Sequence, residues 1–438
     1  MPLLLASFHA SRGETRLLCA IAALLGLTSN FGYYTMVAGW TGTVVLVLLQ
    51  MLEWMFVVSF TRAIVRRSNH WLTVFAYPLV WTALDTLISA FSPHGTFGSL
   101  AYTQMNALPV IQIASLTGTP GIVFVVTLFA SMLAIASYRA NRRARPVLAY
   151  GVPVLILMAV VAFGVVRLTR NHSATATMAI GLVAIDDFLG PEVPRAKADA
   201  IWKGYDEAVA HLAAQGARIV VLPEKIDVKE LAAAQRGEAL AELARRNAIY
   251  LVVGIGLPTD AGWMNRAWLL GPNGDLLAEY DKQHLVPGLE AEMAPGHEDV
   301  VRQINGRRFG IAICKDMHFA SLGRSYGKEK VDAILEPAWD FYRDAWMSAR
   351  IAALRGVESG YAVVHSARES LLSVSDRYGR FIAETRSGAL PGVSVIAQVP
   401  VGSSAPTPYA RFGDWFGWLC VGLAVFARFM PRASPEES

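Results

Sequence analysis

Apolar residues run through the first 170 positions with almost no charged interruption, and the pattern then changes twice. A bilayer crossing needs about 20 mostly apolar residues. Stretches of that kind fall at roughly 17–38, 40–61, 71–91, 119–139 and 146–167, and a sixth at 412–430. From about residue 175, short apolar runs alternate with amphipathic ones. TMAIGLVAI (177–185), ARIVVLPE (217–224), IYLVVGIG (249–256), RFGIAIC (308–314) and VDAILEP (331–337) predict buried strands. Helices are predicted over 194–215, 228–247 and 341–358, with further strands at 361–366, 371–376, 379–383 and 393–399. Residues 265–282 predict a hairpin, for which Pro272, Asn273 and Gly274 supply the turn. Such β-α units followed by hairpins predict a mixed sheet covered by helices. The chain therefore divides into a transmembrane region at 1–170 with about five spans, an α/β domain at 175–405 and a C-terminal transmembrane helix at 411–430. The long uncharged stretch 92–118 is too apolar for a disordered linker and is expected to pack on the membrane surface or the outer domain.

Composition sharpens this picture. Of 438 residues, 54% are hydrophobic and 17% charged, and the mean hydropathy is +0.37, which excludes a disordered chain, a collagen-like fibre and a coiled coil. A net charge of +4 on this length argues against a nucleic-acid partner. Residues 1–170 hold only three acids, Glu14, Glu53 and Asp85, and no lysine before Lys197. Arginines cluster between alternate spans: Arg12 and Arg16; Arg62, Arg66 and Arg67; Arg139, Arg142, Arg143 and Arg145; Arg428 and Arg432. An excess of Lys and Arg marks cytoplasmic loops, so both termini are expected inside and the domain at 175–405 outside. In a bacterium with two membranes that is an inner-membrane protein with a periplasmic domain. Arg167 and Arg170 run against the rule.

Three cysteines, Cys19, Cys314 and Cys420, cannot build a disulfide framework, and Cys314 alone lies in a polar, globular stretch. It ends a predicted strand, as do Glu224 in VVLPE and Lys282 in AEYDK. Strand ends that feed loops are where α/β folds place reactive groups. A carboxylate can take a thiol proton, and an ammonium can favour the thiolate and an oxyanion. Each residue also has an ordinary reading: a small buried hydrophobe for Cys314, a helix N-terminal acid for Glu224, a solvated hairpin residue for Lys282. No HExxH or paired CxxC suggests a metal, and no cofactor is expected.

In this order, LPE, YDK and GIAICKD resemble the Glu–Lys–Cys signature of the nitrilase (carbon–nitrogen hydrolase) superfamily, and NRAWLLGPNG and LSVSDRYGRFIAET resemble its supporting segments over about 177–400. KQHLVPGLE (282–290), PTPYARFGDWFGWL (406–419) and the loop 95–122 are similar to the membrane-embedded branch, the apolipoprotein N-acyltransferases. The resemblance implies a multi-span α-helical membrane region joined to an α/β nitrilase-like α-β-β-α sandwich. It implies Glu224 as general base, Lys282 as oxyanion and thiolate stabiliser, Cys314 as nucleophile, and Glu290 as a further essential carboxylate. His284 is a candidate for the pocket wall. The implied reaction moves an acyl chain from a phospholipid, through a Cys thioester, to the N-terminal amine of a diacylglyceryl-cysteine apolipoprotein. Soluble relatives assemble through the sandwich face, and because the spans stand in the way of that here, a monomer is expected. The sequence departs from the branch in having fewer spans, a shorter 288–300 stretch, and Lys315–Asp316 where Tyr-Glu is usual, a pair closer to soluble amidases. Lys315 is expected to point to solvent. A membrane-tethered amidase using the same triad is the alternative, and a non-catalytic scaffold a third reading. Trp263, Trp339 and Trp346 read as core or lipid contacts. Asp85, inside a span, is costly in lipid and is expected to pair with Gln104 or Asn106.

Overall fold

The computed structural model describes residues 1–28, 30–139, 146–169, 176–187, 193–226, 233–259, 262–402 and 405–429. Arg142, Arg143, Arg145, Arg170, Arg432 and the side chain of Arg428 lie outside the described residues.

The chain opens with α1 (Pro2–His9) and α2 (Arg12–Leu27). A capping box starts α2: the Glu14 amide donates to Ser11 Oγ at 3.2 Å, and the Ser11 amide donates to Glu14 Oε2 at 2.7 Å. Thr15, Cys19, Ala23 and Leu27 recur on one face of α2 and are buried, packing it on α3 (Phe31–Arg67). Gly39 interrupts α3 at φ 64°, ψ −178°, a conformation glycine adopts without a Cβ clash. The apolar run expected over 17–38 is thus broken. One piece ends at Leu27, and residues 31–38 form a separate limb before the Gly39 kink. The reason is tertiary: the Tyr33 hydroxyl donates to Asp344 Oδ2 at 2.8 Å, which holds this limb on the sheet domain.

After α3 come α4 (Ala76–Phe91), α5 (Leu108–Ile111), α6 (Ala114–Thr117), α7 (Thr119–Arg139) and α8 (Pro146–Thr169). Among the described residues, four helices are long and apolar enough to cross a membrane: Phe31–Arg67, Trp71–Phe91, Thr119–Arg139 and Leu148–Thr169. The expected five become four by length and composition, because α2 has 16 residues, about 24 Å of helix against a hydrocarbon core of about 30 Å. Asp85 on α4 accepts from Ser99 Oγ at 3.1 Å, while Gln104 donates to Thr103. Its partner is therefore neither residue expected from the sequence.

Two six-stranded sheets follow. The first has the order β12–β1–β2–β3–β4–β5, from β1 (Ala176–Ala184), β2 (Ile219–Val221), β3 (Tyr250–Thr259), β4 (Gly262–Leu270), β5 (Leu276–Asp281) and β12 (Val393–Val401). The second runs β11–β10–β9–β8–β7–β6, from β6 (Val300–Ile304), β7 (Arg307–Ile311), β8 (Ala333–Trp339), β9 (Ala362–Arg368), β10 (Leu371–Ser375) and β11 (Phe381–Arg386). Leu182, Val221, Val252, Leu335 and Val364 fill the layer between them. Helices α9 (Arg195–Ala214) and α10 (Ala233–Asn247) cover the first sheet, and α11 (Ala320–Lys328) and α12 (Ala345–Ser359) the second. This is the α-β-β-α sandwich. Strand β6 was not expected, since Arg302 and Gln303 leave VVRQI with little apolar pattern.

Helix α12 is buried on nearly every side, which an amphipathic surface helix is not. Its Ile351, Leu354 and Val357 join one core with Tyr102, Ile111 and Ile122 from the helical region. Arg355 Nη2 donates to the Tyr102 hydroxyl at 3.1 Å, and Arg355 pairs with Glu358 at 2.7 Å. Glu358 in turn accepts the Thr119 amide at 2.9 Å, at the start of α7. Residues 92–118 pack here against the sheet domain: Thr96 donates twice to the His318 carbonyl, and Gln112 donates to the Tyr378 carbonyl. The chain closes with α13 (Pro408–Phe412) and α14 (Trp415–Phe429).

Candidate active site

Parallel strands β1–β3 and β7–β9 send their carboxyl ends to one rim of the sandwich. Glu224 follows β2, Cys314 follows β7, and Lys282 follows β5. Glu290 enters from the loop between β5 and β6. Lys282 Nζ lies 2.9 Å from Glu224 Oε1 and 2.9 Å from Glu290 Oε2. Asn265 Nδ2, on β4, donates to both carboxylates, to Glu224 at 2.5 Å and to Glu290 at 2.7 Å. Glu290 also accepts from Lys225 Nζ at 2.8 Å and the Val286 amide at 2.8 Å, and Glu224 Oε2 accepts the Trp339 amide at 2.9 Å. Glu224, Lys282 and Glu290 are each at most 2% exposed. Buried ions are costly unless their remaining bonds are satisfied, and here two ammonium groups alternate with two carboxylates. Burial works to lower the Lys282 pKa, but Glu224, Cys314 and Glu290 outweigh it and hold it well above the ordinary value. Burial works to raise that of Glu290, but Lys282 and Lys225 bring it down to about 2. Gly254 on β3 leaves the room this packing needs, since a Cβ there would meet Glu224 Cα at 2.5 Å.

Cys314 adopts φ 47°, in the left-handed region that side chains disfavour, and opens a single 3₁₀ turn, Cys314–His318. Its half-buried Sγ faces the Trp339 carbonyl at 3.5 Å and Asp340 Oδ1 at 3.7 Å. Burial, then Glu224 and Asp340, push the thiol pKa well up against the pull of Lys282. Asp316, fully buried, ties this turn to the end of β5. Its Oδ1 accepts the His284 amide at 2.8 Å and the Gln283 amide at 3.2 Å, and its Oδ2 accepts the Tyr280 hydroxyl at 2.8 Å and the Ile313 amide at 3.1 Å. His284 Nδ1 is 3.0 Å from Asp316 Oδ1, and its ring stacks on Phe319 with centroids 3.7 Å apart.

Lys315 does not point to solvent. It is 4% exposed and donates to the Leu285 carbonyl at 2.7 Å. Burial and the nearby Lys282 ammonium lower its pKa to about 8. The inward turn follows from the 3₁₀ geometry after Cys314, which aims the next side chain at the 283–290 loop.

Sequence reasoning missed a second buried array. His365 Nδ1 lies 3.0 Å from Glu336 Oε2 and its Nε2 lies 3.2 Å from Asp340 Oδ2, which also accepts Ser370 Oγ at 2.5 Å. Parallel register sets Glu336 on β8 directly beside His365 on β9. Burial works to lower the His365 pKa, but the two carboxylates carry it up to about 10. The available signal was a titratable residue in the middle of each of two apolar strands, AILEPAW and AVVHSAR. Among the described residues, no group of three or more His, Cys, Asp and Glu could hold a metal ion. The arrangement offers a nucleophilic sulfur, carboxylates to move its proton, and fixed positive charge for a developing oxyanion.

Residues 185–368 match the carbon-nitrogen hydrolase family, and residues 1–132 match the apolipoprotein N-acyltransferase N-terminal domain. An apolipoprotein N-acyltransferase of Geobacter metallireducens is 27% identical over 398 residues, covering 80% of this chain and 73% of that protein. One of Thermotoga maritima is 24% identical over 449 residues, covering 94% and 82%. An omega-amidase of Danio rerio is 33% identical over 165 residues, covering 33% of this chain and 59% of that protein. The two-sheet sandwich and the first match define an enzyme of the nitrilase superfamily. With the helical region matched as well, the comparisons support a nitrilase-superfamily N-acyltransferase, similar to the apolipoprotein N-acyltransferases of the membrane-embedded branch.

Proposed function

We propose that this enzyme moves an acyl chain from a phospholipid, through a thioester on Cys314, to the α-amine of an apolipoprotein's N-terminal diacylglyceryl-cysteine. Glu224 takes the thiol proton as Sγ attacks the ester carbonyl carbon. Lys282 and backbone N–H groups after Cys314 stabilise the oxyanion. The ester C–O bond breaks, the lysophospholipid oxygen takes the proton from Glu224, and the C–S thioester remains. The amine nitrogen then attacks the thioester, the C–S bond breaks, an amide forms, and the displaced amine proton returns through Glu224 to sulfur. Glu290 holds Lys282 in place, and His284 lines the approach.

The observation that carries this reading is the core α12 shares with the helical region, which seats the strand-end site directly on the apolar helices. A lipid substrate needs that placement and a soluble amide does not. In this reading residues 1–170 and 411–430 lie in the bacterial inner membrane, the domain at 175–405 faces the periplasm, and the enzyme works as a monomer. The arginines at the ends of α2 and α3 remote from the sheet domain then face the cytoplasm.

A membrane-tethered amidase is the second reading, favoured by the Lys315–Asp316 pair after Cys314. Intact mass of the protein from its own membranes, beside Cys314→Ala, separates the two. The expected result is an acyl-sized adduct, removed by hydroxylamine and absent from the variant, whose radiolabelled chain passes to a diacylated lipopeptide. Release of ammonia or amine from amides, with no adduct after incubation with phospholipid, would sink the acyltransferase reading.

A further inference from the structure

A cavity of about 510 Å³ opens between the first turns of α2 and the last turns of α3. Residues 31–34 of α3 lie against the sheet domain. About 35 Å of helix separates Gly39 from Arg62, so the cavity stands at the far end of the helices from Cys314. Five arginines line it: Arg12 and Arg16 on α2, and Arg62, Arg66 and Arg67 on α3. Thr15 and Ser59 add hydroxyl groups.

Among the described residues, none of the five is paired with a carboxylate. Glu14, the one acid on α2, is bonded to the Ser11 amide. Arg62 is 8% exposed and is fixed by the protein itself: Nε donates to the Ser7 carbonyl at 2.8 Å and Nη2 to the Ala10 carbonyl at 2.7 Å. Its position is therefore built in, not a surface accident. Membrane topology accounts for arginines at these helix ends. It does not account for their convergence on one concavity, where like charges repel unless an anion joins them. Guanidinium forks match phosphate oxygens in bidentate geometry. Next to the cavity the outer faces of α2 and α3 are apolar and exposed, with Leu17, Ile21, Leu52 and Phe56. The ligand that suits both features has a phosphate head and apolar tails.

We infer that this cavity binds the phosphate-bearing headgroup of an anionic phospholipid, whose acyl chains lie along α2 and α3. The inference is independent of the chemistry assigned to Cys314. The full-length protein, delipidated in detergent, is titrated with phosphatidylglycerol, with phosphatidylcholine and with inorganic phosphate, and bound ligand is read by native mass spectrometry. The variant is Arg16→Gln with Arg66→Gln, both exposed side chains. Arg245→Gln with Arg246→Gln on α10 removes the same charge elsewhere. Phosphatidylglycerol is expected to load about tenfold better on the native protein and on the α10 control than on the Arg16/Arg66 variant, and better than phosphatidylcholine. Should that variant lose its helical circular dichroism, Arg66→Lys, which keeps the charge and loses the fork, is expected to show a smaller drop. Equal loading of the two lipids overturns the inference, as does equal loading of native protein and variants. Binding of inorganic phosphate without any lipid preference overturns it in favour of a free-phosphate site.

Discussion

Around Cys314 the charges alternate in sign. Lys282 and Lys225 lie between Glu224 and Glu290, and His365 lies between Glu336 and Asp340. At the far end of α2 and α3 they do not: five arginines face one cavity and, among the described residues, no carboxylate joins them. The first cluster is complete before any substrate arrives. Its dipoles and charges are fixed at the moment they are needed, which is how a water-poor site stabilises a developing oxyanion without reorganising. The second cluster is completed only from outside. Removing a charge from the two clusters should therefore have opposite signs, and that contrast can be broken experimentally.

The largest effect is expected from Lys282→Met. It leaves the buried carboxylates of Glu224 and Glu290 with one ammonium within ion-pair distance, Lys225. Breaking a buried pair in this way costs about 3–5 kcal/mol, and under the proposed mechanism, in which Lys282 faces the oxyanion, acyl transfer should fall at least about a hundredfold. Thermal unfolding in detergent together with a lipopeptide acylation assay reads both. Full stability with full activity in this variant would refute the alternating cluster as a structural unit.

The His365 array predicts an alkaline limit. Its folded pKa, about 10, lies above the ordinary 6.5 because Glu336 and Asp340 outweigh burial. A raised pKa contributes stability that is fully present below the unfolded value and is lost as pH rises through the folded one. Burial also raises Glu336 to about 7, so its deprotonation removes stability in the neighbouring range above its ordinary 4.5. The groups facing this array, Asp316 toward Glu336 and His318 toward Asp340, do not reverse these directions. The unfolding temperature should fall from about pH 6.5 to pH 10, and His365→Gln should flatten that decline. An unfolding temperature that rises over this interval in the native protein would contradict the arrangement.

Asp340→Asn tests the same array at the Cys314 thiol. Asp340 Oδ1 stands 3.7 Å from the sulfur, and its charge is one of the influences holding the thiol up. Neutralising it should shift the pH midpoint of Cys314 alkylation downward, with faster reaction at neutral pH. Asp340→Glu, which keeps the charge, should restore most of the native profile. A midpoint that does not move would assign the thiol's resting state to burial and Glu224 alone.

These tests reach residues that were legible in the sequence to very different degrees. Glu224, Lys282 and Cys314 announced themselves because each ends a predicted strand: Glu224 and Cys314 follow parallel strands, and Lys282 follows the antiparallel β5. Glu290 came with the loop that resembles the family. Asp340, Glu336 and His365 could not be joined from one strand at a time, since only the β8–β9 register sets Glu336 beside His365. Lys315 was read outward because side-chain direction in a 3₁₀ turn depends on a positive φ at Cys314 that composition does not reveal. The first helices were misdivided for a similar reason. Hydropathy sees the run across 17–38 but not the bond from Tyr33 to Asp344 that draws residues 31–38 onto the sheet domain.

The smallest effect, and the one that bears most directly on the contrast, concerns Arg66→Gln. Arg66 is exposed and lines the cavity with four other guanidinium groups. In lipid-free detergent at low salt, removing one of these like charges should stabilise the helical region by about 0.3 kcal/mol, the scale of exposed charge interactions. Salt should abolish the gain, because the Debye length falls to about 10 Å at 0.1 M. Adding phosphatidylglycerol should reverse it, since the native protein then gains a ligand that the variant binds less well and binding to the folded state stabilises it. The sign change on adding lipid matters more than the size, because it is set by whether the cluster lacks an anion. If Arg66→Gln were destabilising in every condition, by an amount indifferent to salt and lipid, the arginines would be held by contacts within the protein and the two clusters would follow the same plan.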